Sequence, residues 1–215
     1  MGGGDLKLTS GVASSTDVVN FNGSAVTGGT VYFSFLLQAT TLPTANQELM
    51  DLLPTGAVGL AGSTAPLAIY VGQQTAGSQY KVGIRHGLSG ATYTSSAAMN
   101  VGTVNLIVAA YTFNPSTGDD VVSLWVNPTG LGGVSAPAAN VSFNNSALAD
   151  AANLQVIGIK SQSAATQGNW NLDSFVVADS WADVTGYTAV PEPSTWVLVG
   201  SGLAMLFGMI RRRRS

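Results

Sequence analysis

The chain has 215 residues, of which 46% are hydrophobic and only 9% are charged, with no cysteine and one histidine. This composition excludes disordered chains, which combine low hydrophobicity with high net charge, and it excludes disulfide frameworks and cysteine-ligated metal sites. Residues 1–190 carry four cations against ten acids, a net charge of −6, and lack the clustered basic residues that nucleic acids require. We therefore predict one folded domain without a nucleic-acid partner.

Short β-type runs separated by Gly, Pro, Asn and Ser clusters fill residues 1–188, a pattern typical of an all-β sandwich. The stronger predicted strands are Val31–Gln38, Leu67–Gln73, Tyr80–Arg85, Asn105–Phe113, Val121–Val126, Leu154–Ile159 and Asn171–Val177. Weaker candidates are Leu6–Leu8, Val18–Phe21, Ala57–Leu60, Ala91–Thr94 and Val141–Phe143. Alternation is clear in Tyr80–Arg85, where Lys81 and Arg85 share one face and the apolar residues share the other.

Three segments between these strands predict other structures. Residues 114–120 predict a hairpin loop in which Gly118 adopts positive φ. Ser146–Asn153 predicts a short helix, with Ser146 as its cap. Glu48–Asp51 lies between two prolines and predicts a helical turn or a loop.

Residues 189–215 form a separate C-terminal segment. Thr195–Ile210 contains no charge, and as a helix it would extend over about 24 Å, slightly less than a hydrocarbon core of ~30 Å. The four arginines that follow are typical of the cytoplasmic end of a membrane helix. We predict a transmembrane helix over residues 194–210, with residues 1–190 outside the cytoplasm.

The order of Pro191-Glu192-Pro193, the apolar run and the arginine cluster resembles the PEP-CTERM sorting signal of exported proteins in Gram-negative bacteria. The resemblance implies recognition and processing by a membrane protease of the exosortase type, followed by a cell-surface or extracellular location. It assigns the sorting motif to Pro191, Glu192 and Pro193, and the membrane stop to Arg211, Arg212, Arg213 and Arg214. Such proteins begin with a signal peptide, but residues 1–5 have neither a basic nor an apolar region, so we expect that a signal is missing from this sequence.

A second resemblance covers residues 30–186. Tyr111–Phe113, Gly118–Pro128 and Trp170–Val177 are similar to strands of laminin-G/concanavalin-A-like domains. This resemblance implies that residues 1–188 form a jelly-roll sandwich of two antiparallel sheets, which precedes the single C-terminal transmembrane helix.

Because some concanavalin-A-like domains are glycoside hydrolases, paired carboxylates are the first catalytic candidates. The retaining enzymes use a Glu-x-Asp-x-x-Glu strand, and here Glu48 is the only glutamate before the tail. His86 follows a predicted strand next to Gly87, which predicts a solvated imidazole, and no Gly-x-Ser-x-Gly motif accompanies it. We predict a protein that is not an enzyme, with a degenerate or unrecognised glycoside hydrolase as the alternative.

Ligand binding is the remaining hypothesis. Calcium prefers carboxylate and carbonyl oxygens supplied by loops, which makes Asp119, Asp120 and Asp173 candidate ligands, although no fixed calcium-binding spacing is present. Trp125 alternates with apolar neighbours and, if it faces outward, is a candidate platform for carbohydrate; core packing is the alternative. We therefore expect an adhesive or structural role in extracellular polysaccharide, with weak calcium-dependent carbohydrate binding.

Overall fold

A computed structural model describes residues 6–8, 15–57, 65–75, 78–87, 93–95, 97–144, 150–161 and 168–186. These residues form strands and one short helix, numbered here in chain order. The strands are β1 Leu6–Leu8, β2 Ser15–Asn20, β3 Thr30–Thr41, β4 Gln47–Leu53, β5 Leu67–Thr75, β6 Gln79–Arg85, β7 Tyr93–Thr94, β8 Met99–Asn100, β9 Val104–Thr112, β10 Val121–Val126, β11 Val141–Asn144, β12 Val156–Ser161 and β13 Asn169–Ala178. The helix is α1, Trp181–Thr185.

The strands form two antiparallel sheets that pack face to face. The six-stranded sheet has the order β1-β13-β3-β9-β10-β11. The seven-stranded sheet has the order β2-β12-β4-β5-β6-β7, and β8 also pairs with β6. Some neighbours, such as β5 and β6 or β9 and β10, are consecutive in sequence, whereas β3 with β13 and β4 with β12 are far apart. Sandwich formation therefore also depends on long-range pairing.

Strand β3 supplies the centre of the apolar core. Phe33, Phe35 and Leu37 alternate along it and are fully buried between the sheets. Residues from the facing sheet, including Ile69 and Val82, complete this cluster. Burial of side chains this large contributes roughly 1.5–3 kcal/mol each, which makes this layer the main stabilising element.

A second apolar cluster covers part of the outer face of the six-stranded sheet. Helix α1 lies on this face and places the indole of Trp181 against that of Trp125, with ring centroids 5.1 Å apart. The helix begins at Ser180, whose hydroxyl accepts from the Asp183 backbone N–H at 3.2 Å. The Ser34 hydroxyl also donates to the Val184 carbonyl at 2.8 Å and ties the helix to β3.

The prediction for Glu48–Asp51 is wrong, because these residues lie inside β4. All seven residues of this strand are buried, so its sequence lacks the alternation of a half-exposed strand. A bulge between Glu48 and Met50 inserts one extra residue. Glu48 then pairs with Tyr70 and Asp51 with Ala68, which places both carboxyl groups on the outer face of the seven-stranded sheet.

The stronger predicted strands are confirmed with shifted ends; Leu154, for example, makes an isolated bridge with Val26 before β12 begins. The weaker candidates at Leu6–Leu8, Val18–Phe21 and Val141–Phe143 are also confirmed. Part of the remaining two, at residues 58–60 and 91–92, lies outside the described residues. Residues 150–153 are not helical, and the rest of the predicted helix, residues 146–149, is not described.

In the part of the chain that the structure describes, no helix has the length and apolar character needed to cross a membrane. The predicted membrane segment, residues 194–210, lies outside that part.

The position of α1 makes Trp181 a stabilising residue. Replacing Trp181 with Ala removes the indole that covers Trp125 and leaves a cavity, so we expect the free energy of unfolding to fall by about 3–5 kcal/mol. Urea denaturation measures this change. The control is Val134→Ala, because that side chain is 99% exposed and its loss should leave the free energy of unfolding unchanged. Equal effects of the two substitutions would contradict the assigned packing.

Candidate functional site

Three carboxylates converge at one end of the sandwich. Asp119 and Asp120 lie in the loop between β9 and β10, and Asp150 precedes β12. Each offers an oxygen that lies within 4.8 Å of those of the other two. The spacing of the sequence did not indicate Asp150, because only the fold brings it to a loop 30 residues earlier.

The β9–β10 loop is held by hydrogen bonds to these acids. Asp120 is fully buried and accepts from the Tyr111 hydroxyl at 2.5 Å and from the Asn114 backbone N–H at 2.7 Å. Asp150 accepts from the Gly118 N–H at 2.5 Å and from the Asp120 N–H at 3.3 Å. Gly118 adopts φ +78°, as the hairpin prediction required. The carboxylates of Asp120 and Asp150 are therefore held in place by these hydrogen bonds.

One oxygen in this group has no protein donor. Asp119 Oδ1 is buried and has no hydrogen-bond partner within the described part of the chain. A buried acceptor without a partner usually signals a water or an ion. The mutual repulsion of three close carboxylates also favours a cation, and oxygen ligands of this kind suit calcium.

His86 lies beside this group and is buried, so its predicted solvated position is wrong. It is 2% exposed and packs edge-to-face against Tyr111, with ring centroids 5.5 Å apart. Burial lowers the pKa of His86, although the charges of Asp120 and Asp150 oppose this shift. Its Nδ1 forms no hydrogen bond with any described residue. A catalytic triad requires an aspartate bonded to the histidine, and among the described residues none is bonded to this nitrogen.

Tyr111 joins His86 to the acidic group. Burial raises the pKa of Tyr111, and the hydrogen bond to Asp120 raises it further. The hydroxyl therefore stays protonated, donates to Asp120 and accepts from the Ala151 backbone N–H at 2.9 Å. The tyrosine thus connects the core to both acidic segments.

Asp173, the third predicted ligand, lies elsewhere. Asp173 pairs with Leu36 on β3, and Leu36 pairs with Leu106 on β9. Leu106 lies six residues before the end of β9, where the acidic loop begins. Asp173 is therefore about 20 Å from that loop along the strand direction. It lines a cavity of about 130 Å³ with Asn171 and Gln38 on the outer face of the six-stranded sheet. Its Oδ1 accepts from the Ser174 N–H at 2.6 Å. The structure therefore does not bring Asp173 to Asp119 and Asp120.

Trp125 faces away from the inter-sheet core but is not an open platform. It is 6% exposed, because Trp181 and Tyr32 cover its ring. Its Nε1 donates to the Pro137 carbonyl at 2.9 Å. The alternative of packing is therefore correct for Trp125, and the predicted carbohydrate platform is not available at this residue.

A second charged group lies on the outer face of the seven-stranded sheet. Glu48 contacts Lys160, with Oε2 3.1 Å from Nζ, and Arg85, with Oε1 4.0 Å from Nη2. Asp51 beside it is fully buried, and both its carboxyl oxygens lack a hydrogen-bond partner among the described residues. Burial, followed by the nearby Glu48, raises the pKa of Asp51 to about 9. At neutral pH Asp51 is therefore a neutral acid.

Comparison with known proteins decides the nature of the C-terminal segment. Residues 189–214 match the family model described as the PEP-CTERM protein-sorting motif. The chain carries a PEP-CTERM sorting motif. The motif follows the last described residue in the sequence and implies export and membrane-associated sorting. No curated protein matches the sequence of the chain.

The fold of the described residues is similar to that of jelly-roll domains. The T. cruzi calreticulin globular domain matches with a TM-score of 0.51 and 12% identity, over 80% of this chain and 72% of that domain. The alginate lyase from Klebsiella pneumoniae matches with a TM-score of 0.47 and 10% identity, over 70% and 60% of the two chains. A tetrameric galectin from Cinachyrella sp. matches with a TM-score of 0.43 and 11% identity, over 76% of this chain and 99% of the galectin chain. The likeness to the calreticulin domain concerns the fold alone, a jelly-roll-like sandwich of two antiparallel sheets.

The raised pKa of Asp51 predicts how stability depends on pH. In the unfolded chain an aspartate has a pKa of about 3.9, so the folded protein binds a proton at Asp51 more tightly than the unfolded chain does. This proton binding contributes to the free energy of unfolding, and the contribution is lost as pH rises from about 4 towards about 9. We expect Asp51→Asn, which keeps a neutral side chain, to reduce this fall and to raise the melting temperature at pH 8. Thermal unfolding between pH 5 and 9 measures both effects.

The matched control for this prediction is Asp17→Asn, because Asp17 is exposed on β2. It should leave the pH dependence of the melting temperature unchanged. An Asp51→Asn protein with the same pH dependence as the unaltered chain would show that Asp51 is ionised in the folded state.

Proposed function

We propose that this chain is a non-enzymatic protein of the cell surface or extracellular matrix, sorted through its PEP-CTERM motif and adhesive or structural within extracellular polysaccharide. The motif at residues 189–214 supports the address, because it implies export. The group of Asp119, Asp120 and Asp150 supports the proposed activity, which is weak, calcium-dependent association with carbohydrate.

The tail supplies the membrane contact in this proposal. Residues 194–210 form a single transmembrane helix, and the arginines at 211–214 stop it at the cytoplasmic side. Pro191, Glu192 and Pro193 are recognised by an exosortase-type protease. In a Gram-negative cell this arrangement anchors the sandwich outside the inner membrane until the tail is processed.

Calcium binding is assigned to the end of the sandwich. The three carboxylates are held within reach of a single ion, and calcium completes its six to eight oxygen ligands with backbone carbonyls and water. Such an ion keeps exchangeable water sites, through which sugar hydroxyl groups can bind. The absence of open indole surface at Trp125 makes this end, rather than the outer face of the six-stranded sheet, the better place for carbohydrate.

The carboxyl groups of Glu48 and Asp51 do not have the geometry of a glycoside hydrolase. Glycoside hydrolysis requires carboxyl groups about 5–9.5 Å apart with the sugar between them. Glu48 and Asp51 instead lie next to each other, and Asp51 is fully buried. A glycoside hydrolase remains the second candidate, and the observation that would favour it is cleavage of a polysaccharide that Glu48→Gln abolishes.

The calcium proposal predicts a metal-dependent stability. We expect calcium to raise the melting temperature of the full chain in mild detergent, because an ion that binds only the folded state stabilises it. Asp119→Asn and Asp150→Asn should each remove this increase, because each deletes a charged ligand. Thermal unfolding with calcium and with chelator measures the effect.

Asp173→Asn serves as the matched control, because it removes an acid about 20 Å away along the strand. It should keep the full response to calcium. A chain that is insensitive to calcium, or a response that Asp173→Asn removes equally, would contradict the assigned site.

The sorting motif predicts a defined processing defect. We expect the full chain to lose its tail when it is produced together with an exosortase-type protease, and Glu192→Ala to remain at full mass because the motif is broken. Mass spectrometry of the recovered protein distinguishes the two. Thr188→Ala, which lies just before the matched residues, is the control and should be processed normally. Normal processing of Glu192→Ala would contradict recognition through this motif.

A further inference from the structure

Three of the four cations in residues 1–190 lie on one surface of the molecule. Lys81 and Arg85 alternate on β6 with residues that point into the core, so both lie on the outer face of the seven-stranded sheet. Lys160 lies on the same face, because it alternates on β12 with the core residues Ile157 and Ile159. The fourth cation, Lys7, is on β1 of the other sheet. A domain with a net charge of −6 thus concentrates its positive charge on one face.

The acids on this face do not cancel that charge. Glu48 is ion-paired with Arg85 and Lys160, and burial keeps the neighbouring Asp51 neutral at pH 7. Asp17 on β2 is exposed but pairs with the core residue Ile159, so it lies on the opposite side of the sheet. Lys81 has no carboxylate within ion-pair distance among the described residues. The face therefore carries a net positive charge.

Small residues and one aromatic ring lie between these charges. On the neighbouring strands β5 and β6, Arg85 pairs with Ala68 and Gly83 pairs with Tyr70. On β4 and β12, Asp51 pairs with Gly158. The Arg85 guanidinium lies over the Tyr70 ring, 4.9 Å from its centroid. The side chains of Arg85 and Lys160 keep 12% and 27% of their surface exposed. Lys160 is therefore partly exposed, whereas Arg85 is largely covered and contributes its charge from beneath the surface.

We propose that this cationic face, defined by Lys81, Arg85, Lys160 and Tyr70, binds an acidic polysaccharide through its carboxylate groups. The two lysines, on strands three positions apart in the sheet, suit charges that repeat along a chain, and Arg85 on the same face adds positive charge. Three cations are too few for a nucleic acid, and the export implied by the sorting motif places the face among extracellular polymers.

This activity goes beyond the proposed calcium-dependent association and uses different residues. The contact is made by the protein's own cations, so it requires no metal. The domain has a net negative charge, but the face that makes the contact is positively charged, so the domain can bind an acidic polymer through this face. Binding is expected to weaken as salt rises, because exposed charges are screened within about 10 Å at 0.1 M.

The test is calorimetric titration of the full chain, in mild detergent and with chelator, using a polygalacturonate oligosaccharide. We expect binding that weakens with salt, no binding of a neutral glucan, and about tenfold weaker affinity for Arg85→Gln and Lys160→Gln, equivalent to about 1.4 kcal/mol each. Lys7→Gln removes the same charge from the other sheet and should bind normally. Unchanged affinity of Arg85→Gln and Lys160→Gln overturns the proposal.

A variant that gains affinity separates recognition from folding defects. Glu48→Gln removes the internal counter-charge of Arg85 and Lys160, so we expect it to bind polygalacturonate several-fold more tightly, which a damaged fold would not do. Asp119→Asn should bind normally in chelator, so failure of the calcium proposal and of this one can be told apart. Equal affinity for dextran sulfate, or a preference for anionic lipid vesicles, overturns the assignment to carboxylate-bearing polysaccharide.

Discussion

The register of β3 determines where every other element of this sandwich lies. Phe33, Phe35 and Leu37 point between the sheets, and β3 pairs with β13 on one side and with β9 on the other. A slip of one residue would turn these side chains outward and expose the apolar layer to water. The same register places the end of β9 beside Thr30, so the acidic loop that follows β9 lies at the end of the sandwich. Core packing therefore positions a group that takes no part in it.

The bulge in β4 has a comparable effect on the other sheet. In a regular strand, residues three apart point to opposite faces, so Glu48 and Asp51 would be separated by the sheet. The extra residue between Glu48 and Met50 turns both carboxyl groups to the outer face. There Glu48 lies between Arg85 and Lys160, and Asp51 is excluded from water. One inserted residue thus creates both the charge pairing and the abnormal pKa.

The sequence predicted elements whose pattern is local and missed those that depend on distant neighbours. Strand β6 was readable because its polar and apolar residues alternate, and the loop at Gly118 because glycine tolerates positive φ. Strand β4 lacks alternation because both its faces are covered. Asp150 and the burial of His86 arise from contacts across the fold, to Gly118 and to Tyr111. Helix α1 had a readable signal in Ser180 and Asp183, which form its N-terminal cap.

Helix α1 also determines on which side of the sandwich the described chain ends. The helix packs on the outer face of the six-stranded sheet, and the described chain ends at Gly186, three residues before the sorting motif begins. The described chain therefore ends on the side of the six-stranded sheet. The outer face of the seven-stranded sheet, with Arg85 and Lys160, is on the opposite side of the sandwich. The end of the described chain and the positive face therefore lie on opposite sides of the sandwich, so a tail that extends from Gly186 starts away from the surface with Arg85 and Lys160.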